Sequence, residues 1–249
     1  MLNEAPEDDV RRSDLAERFI DACVTYLYRV ETPLPKTEFQ GRDHPIVTNK
    51  MISGPSIFDG LILAFFEDHR SYSGRASSVH GAPGWKYAIF IHVDDISTPK
   101  KIMYSLTNPK TRSTLRHEVQ HIVDRIRSKK KDKTPPAPSD RTNADDGYDK
   151  YFNSPSELNA YFHNVAEPLL ERIRFINKHG LEMDGIFAPI DPDFRTWFSK
   201  HIASLYGSHA MFWNHLTDDN KRKVIKRLEK LHSHYFKLNK AIQAKYSEE

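Results

Sequence analysis

The segment Leu115–Asp124 constrains the fold most, because it places the motif His-Glu-x-x-His inside a run with helical spacing of apolar residues. These apolar residues form one stripe that can pack on a core: Leu115, Val119, Ile122, Val123 and Ile126. His117 and His121 lie almost opposite that stripe, so both imidazoles can reach one metal ion. Asn108 and Pro109 predict the helix start, as N-cap and first residue. The segment therefore predicts a helix with a core face and a metal-binding face.

Glu118 lies on the flank between these two faces. From there its carboxylate can take a proton from the water of a bound metal, which is the arrangement that a zinc hydrolase needs. The alternative is a surface helix with two solvated histidines. Asp124 follows near the histidines, where it either orients a ligand imidazole or is solvated. Glu118 and the sequence downstream favour the metal site.

The segment Tyr151–Phe162 predicts the start of a second strong helix, and its Glu157 is the candidate third ligand. Ala160, one turn further on, is small enough to let this helix approach the first one closely. An alternative role for Glu157 is to cap its own helix, because Ser154 and Glu157 form a capping-box pattern. Glu167, on about the same helical face, is the fallback carboxylate.

These residues resemble the zincin metallopeptidases, and within them the gluzincins, in which HExxH is followed by a Glu ligand on a later helix. The match covers His117, Glu118, His121 and then Glu157 with Ala160, over about a fifth of the chain. The run from Tyr151 to Tyr161 is similar to segments of uncharacterised phage and bacterial proteins with predicted peptidase folds. The continuation typical of metzincins is not found after the motif.

The resemblance implies one zinc ion per chain, held by His117, His121 and Glu157, with Glu118 as general base and a protein or peptide as substrate. A group that stabilises the oxyanion is also expected. Tyr161, one turn past Glu157, is the candidate, and His163 and Tyr148 are alternatives that the sequence does not rank. A packing role explains each of these three side chains as well.

The fold class expected is α+β, with a zincin-like small mixed sheet packed on the HExxH helix and a mostly helical C-terminal half. Short apolar runs predict strands at Gly60–Phe66 and Lys86–Val93, with a loop at Gly74 and 81–84 between them and a further short strand at Lys101–Ser105. Lys86–Val93 is expected at the sheet edge, where a zincin pairs with an extended substrate. An interior strand is the alternative. Residues 31–57 are expected to be irregular.

Helices are predicted at Arg12–Val30, from Pro155 to His179 with Gly180 as the stop, at Asp193–Tyr206 and from about Thr217 onward. The polar, Pro-rich stretch from Lys129 to Asp149 is predicted to be a loop or lid. All of this is interpreted as a single zincin-like domain over 1–249. Within it, 1–57 hold an N-terminal helix and an irregular segment, 58–180 the sheet and both ligand helices, and 181–249 a helical extension.

The last helix carries a heptad seam of about three repeats: Val224, Leu228, Leu231, Tyr235, Leu238 and Ile242. Packing back on the domain is the commoner explanation, and self-association through this helix is the alternative. The opposite face carries a basic cluster: Lys221, Arg222, Lys223, Lys226, Arg227 and Lys230. A solvated face is expected there, and nucleic-acid contact is a minority interpretation.

Composition narrows the class of protein. The net charge is +3, too small to indicate a nucleic-acid partner by itself, and Cys23 is the single cysteine, which excludes a disulfide framework and a thiolate zinc cluster. No signal peptide or membrane span is evident, so the expected location is the cytoplasm or a phage particle. The alternative to a peptidase is a structural or interaction protein, such as a phage-particle component, that keeps a zincin-like fold with little or no activity.

Overall fold

The computed structural model describes residues 5–39, 42–67, 74–78, 86–128, 144–180, 187 and 189–247. The chain divides into two compact units. The sheet unit comprises Asp14–Lys131, and the helical unit comprises Met1–Ser13 and Asp132–Glu249. Together they give the α+β class that the sequence predicts. No helix of the described residues is long and apolar enough to cross a membrane.

The sheet unit contains a mixed five-stranded sheet in the order β1-β2-β3-β5-β4. The strands are β1 (Lys36–Phe39), β2 (Arg42–Thr48), β3 (Leu61–Phe66), β4 (Gly74–Ser78) and β5 (Tyr87–His92). β3 and β5 are parallel, whereas the other neighbouring pairs are antiparallel. The first five residues of β3 are all buried, which explains why this strand is apolar throughout rather than alternating. The small mixed sheet is therefore confirmed, and so are the predicted strands at β3 and β5.

The helices of the sheet unit cover this sheet and form its core. They are α1 (Pro6–Arg29, of which residues 14–29 belong here), α2 (Asn49–Ile52), a 3-10 turn at Ser56–Phe58, α3 (Pro99–Thr107) and α4 (Pro109–Ser128). The core joins apolar side chains of α1, the sheet, α3 and α4, including Phe19, Phe65, Ile89, Ile102 and Val119. The apolar stripe of α4 is thus buried as its spacing predicts.

The segment Lys101–Ser105 is helical rather than a strand, so that prediction is wrong. It lies within α3, where the Thr98 hydroxyl accepts a hydrogen bond from the Lys101 N–H at 3.3 Å and Pro99 occupies the first turn. Ile102, Met103 and Leu106 are buried at helical spacing. A short apolar run is compatible with the periodicity of a helix and with that of a strand, and here the capping residues favour the helix.

Three further predictions in this unit are wrong. Residues 31–57 are not irregular, because they contain β1, β2 and α2. Gly74 begins strand β4 instead of a loop, and residues 81–84 lie outside the described part of the chain. β5 is interior, between β3 and β4, and therefore is not the sheet edge. β2 and β4 are held by pairing with distant strands, which local sequence does not show.

The helical unit contains α5 (Ala144–Phe152), α6 (Pro155–His179), α7 (Phe194–Ala203), α8 (Gly207–His215) and α9 (Asp218–Ser247). α6 has the predicted bounds, and Gly180 ends it in the left-handed conformation with φ 70°. The predicted loop is wrong from Ala144 onward, where α5 begins, and residues 129–143 lie outside the described part. α8 was not predicted. The interpretation of the chain as one domain stays a prediction.

The heptad seam of α9 lies in the core of the helical unit. Val224, Leu228, Leu231 and Tyr235 are buried, and Leu238 and Ile242 pack against the same core. Packing back on the domain is therefore confirmed as the explanation of the seam. Self-association through α9 stays a prediction.

Candidate metal site

The cap and core face of α4 fix where its two histidines lie. The Asn108 side chain accepts a hydrogen bond from the Lys110 N–H at 2.9 Å, which confirms Asn108 as the N-cap. Along the helix the apolar stripe is buried in the core of the sheet unit. Because 3.6 residues make one turn, this packing leaves His117 and His121 together on the other side of the helix.

His117 and His121 have converging ring nitrogens. Their Nε2 atoms are 3.1 Å apart, and the rings meet edge to face at an interplanar angle of 86°. Two imidazole nitrogens bound to one tetrahedral zinc ion at ~2.0–2.1 Å are about 3.3 Å apart. Both side chains are buried. The pair thus has nearly the spacing that two ligands of one ion require.

Glu157 completes a group of three potential ligands. One ligand atom each of His117, His121 and Glu157 lies within 4.8 Å of the other two, and all three residues are buried. This buried His-His-Glu group can hold a metal ion. Two imidazoles and one carboxylate suit zinc, and the same donors also bind other first-row divalent ions.

The alternative role of Glu157, as part of a capping box with Ser154, is not supported by a capping hydrogen bond from Ser154. Ser154 is the N-cap of α6, but its hydroxyl makes no capping hydrogen bond, and its backbone N–H donates to the Tyr151 carbonyl at 3.1 Å. A capping box would need the Ser154 hydroxyl to accept from the Glu157 N–H and the Glu157 carboxylate to accept from the Ser154 N–H. The fallback ligand Glu167 forms an ion pair with Arg174 at 2.6 Å and does not belong to the His-His-Glu group.

Glu118 is buried on the flank of α4 that faces β4. A Cβ atom built on Gly74 of β4 would lie 3.1 Å from the Glu118 Cγ atom. Asp124 accepts a hydrogen bond from the Gln120 amide at 3.1 Å, one turn away. Its suggested role in orienting a ligand imidazole stays a prediction.

The candidates for oxyanion stabilisation have packing roles. The Tyr161 ring stacks on Phe212 with centroids 5.1 Å apart and meets Phe152 edge to face at 5.0 Å. Tyr148 also stacks on Phe152. The ring of His163 is buried, with its Nε2 atom 3.8 Å from the carboxylate of Asp9. The catalytic role of Tyr161 stays a prediction.

The sequence did not indicate the charged contacts on the other flank of α4. Glu17 of α1 accepts hydrogen bonds from Arg112 and Arg116, each at 2.5 Å, and Arg112 also donates to Asp21 at 2.6 Å. Burial alone would lower the pKa of Arg112, but the carboxylates of Glu17 and Asp21 raise it above its ordinary value. The spacing of the two arginines by one turn was visible in the sequence, whereas their partner, 95 residues away from Arg112, was not.

Comparisons of the chain with protein-family models, curated proteins and solved structures gave no match. The interpretation of the site therefore depends on the chemistry of its residues.

Proposed function

We propose that the protein is a zinc-dependent metallopeptidase of gluzincin type, with His117, His121 and Glu157 as zinc ligands and Glu118 as general base. The observation that carries the proposal is the burial of the three potential ligands with their ligand atoms within 4.8 Å of one another. Two imidazole nitrogens and one carboxylate are the donor set of the two-His-one-Glu zinc hydrolases.

Zinc bound there would lower the pKa of a water to about 7 and polarise the substrate carbonyl. Glu118 would accept a proton from the attacking water and return it to the departing amine, so the carboxylate is restored after each cycle. His117 and His121 must be neutral at the nitrogens that bind the ion. Because Glu118 is buried, bulk water would compete less for the transferred proton.

The proposed substrate is an extended segment of a protein or peptide that pairs with β4. Among the strands that the structure describes, β4 pairs with β5 alone, so its other edge can accept a further strand. β4 also packs against α4, with Gly74 next to Thr114 and Glu118. A peptide on this edge would run alongside the general base.

The test is the variant Glu118→Gln, compared with His121→Ala and the wild type. We expect the wild type to contain one zinc per chain and to cleave denatured casein or a fluorescence-quenched peptide library. Glu118→Gln should keep the zinc and lose at least about 10²-fold in kcat/KM, because a glutamine cannot carry the proton. His121→Ala should lose both zinc and activity.

Two results would contradict the proposal. Unchanged hydrolysis by Glu118→Gln would exclude this residue as the base. Zinc in the wild type without hydrolysis of any probe would favour the alternative of a structural or interaction protein that retains a metal-binding fold.

A further inference from the structure

β4 approaches α4 so closely at Gly74 that a side chain at this position would crowd its neighbours. A Cβ atom on Gly74 would lie 2.7 Å from the Thr114 Cγ2 atom and 3.1 Å from both the Glu118 Cγ and the Ile91 Cδ1 atoms. Gly74 is not among the glycines with positive φ, so its backbone conformation is open to other residues. The lack of space, rather than the backbone conformation, is what distinguishes glycine from alanine at this position.

We propose that Gly74 is a positioning residue for Glu118, the general base in the proposed function, on which this inference rests. The close approach of the β4 backbone confines the first part of the Glu118 side chain. Any added atom at position 74 would press on Glu118 and on Thr114, which lies one turn before it on the same flank of α4.

Thr114 cannot easily move its methyl group out of the way. Its hydroxyl donates a hydrogen bond to the Lys110 carbonyl at 3.2 Å, which fixes the side-chain rotamer and with it the direction of Cγ2. Rotation of the side chain would break this bond or place the second branch of the same Cβ atom toward β4.

α4 as a whole is also held on its opposite flank. Arg112 and Arg116 both donate to Glu17 of α1, which resists a roll of α4 away from β4. The apolar stripe of α4 is packed in the core as well. Ile91, the third neighbour of the added Cβ, is fully buried in this core, so the flexible side chain of Glu118 is the group expected to yield.

A displaced Glu118 is expected to slow the proton transfer and to leave zinc binding unchanged. Displacement of a catalytic group by about 1 Å can cost about 10²-fold in rate, because proton transfer depends on its position. The 3.1 Å contact requires Glu118 to move by only a few tenths of an ångström, so we expect Gly74→Ala to lower kcat by less than this, about tenfold, with little change in KM. Zinc content should be unchanged, because the three atoms nearest to the added methyl belong to Thr114, Glu118 and Ile91 and not to a ligand.

The test uses Gly74→Ala, Thr114→Ser and the double variant, each with a crystal structure, a zinc measurement and kcat on a fluorescence-quenched peptide. Thr114→Ser removes the methyl group nearest to the added Cβ and keeps the hydroxyl that bonds to Lys110. Alone it should leave kcat within about twofold of wild type. In the double variant it should recover part of the lost kcat, about threefold, and return Glu118 part of the way to its original position, because the 3.1 Å contact with Glu118 remains.

Glu118 in its original position in the Gly74→Ala structure would overturn the inference, and so would a large loss of kcat in Thr114→Ser alone. If Gly74→Ala does not fold, Thr114→Ser and the double variant are compared directly. The remaining 3.1 Å contact with Glu118 then predicts a smaller displacement, and two identical Glu118 positions would overturn the inference. A wild type without hydrolysis would contradict the proposed function, while the position of Glu118 in these structures would still decide the role of Gly74.

Discussion

The charge of the candidate site gives a physical reason for it to take up a cation. Glu118 and Glu157 are both buried, with 8% and 4% of their surface exposed, and the two histidines add no charge when they are neutral. A carboxylate loses much of its hydration on burial, and this loss is costly unless a positive charge compensates for it. A divalent ion held by His117, His121 and Glu157 would place two positive charges next to these carboxylates. The site is thus expected to stabilise the fold when metal binds.

We expect added zinc to raise the free energy of unfolding by about 2.7 kcal/mol at a free concentration of 100 times the Kd. Thermal unfolding followed by circular dichroism, with zinc and with EDTA, measures the corresponding rise in Tm. The matched control is the double variant His117→Ala/His121→Ala, which should show no zinc-dependent shift. An equal shift in that variant would mean that zinc binds elsewhere.

The partly buried ring of His201 is expected to make the free energy of unfolding depend on pH. Burial lowers the pKa of His201 from its ordinary value of 6.5, and the hydrogen bond from its Nε2–H to the Val165 carbonyl at 2.7 Å partly opposes this. The unfolded chain therefore binds more protons than the folded protein below about pH 6.5, so this residue makes the folded state less stable as the pH falls. His201→Gln, which can still donate to Val165, should lose stability less steeply than the wild type between pH 6.5 and 5. Urea unfolding at several pH values measures this, and parallel curves would contradict it.

At the scale of elements, α4 is fixed on both flanks around its histidine face. On one side Glu17 of α1 binds Arg112 and Arg116, and on the other β4 approaches at Gly74. The apolar stripe between these flanks is buried in the core. Together these contacts define the rotation of α4 about its axis, and so the direction in which both imidazoles point.

Glu17→Gln should destabilise the protein by about 3 kcal/mol, the lower end of the range for breaking a buried ion pair. The reason is that Arg112 and Arg116, whose side chains are 25% and 11% exposed, lose their shared carboxylate. Asp21→Asn is the matched control, since Asp21 binds the same Arg112 but its side chain is 66% exposed. Its loss should cost less than about 1 kcal/mol. Denaturant unfolding measures both values, and equal costs would contradict the larger contribution expected of the buried Glu17.

The elements also differ in how well the sequence predicted them, for physical reasons. α6 was predicted from Pro155 to His179, with Gly180 as its stop, because both of its ends carry local signals. β4 was missed because the Gly-Arg-Ala-Ser-Ser segment has no apolar alternation and depends on pairing with β5. In the site, the HExxH spacing identified two potential ligands locally, and Glu157 came from a family pattern. Gly74 and Glu17 act through contacts between distant segments, which no local pattern reveals.

At the scale of the whole chain, a buried ion pair joins residues near its two ends within the helical unit. Arg227 of α9 donates to both carboxylate oxygens of Asp9, with its Nε atom 2.9 Å from Oδ2, and to the Asn159 side chain at 2.8 Å. Its guanidinium also lies 3.8 Å from the ring centroid of Phe162. Arg227 was predicted to lie on the solvated basic face, and this is wrong. Position 227 borders the buried seam, and its partner is 218 residues away in the sequence.

Replacing one partner of this ion pair should lower the free energy of unfolding more than replacing both partners. Arg227→Met leaves the Asp9 carboxylate buried without its arginine, so we expect a loss of about 3–5 kcal/mol in the free energy of unfolding. The double variant Asp9→Leu/Arg227→Met should recover a large part of this loss, because two apolar side chains can fill the same space without a buried charge. Glu7→Gln, which removes a carboxylate that is 68% exposed next to His234, is the control and should change stability by less than about 1 kcal/mol. Denaturant unfolding of the wild type, Arg227→Met, Asp9→Leu, the double variant and the control measures these values. A loss in the double variant equal to the sum of the two single losses would show that Asp9 and Arg227 do not act as a pair.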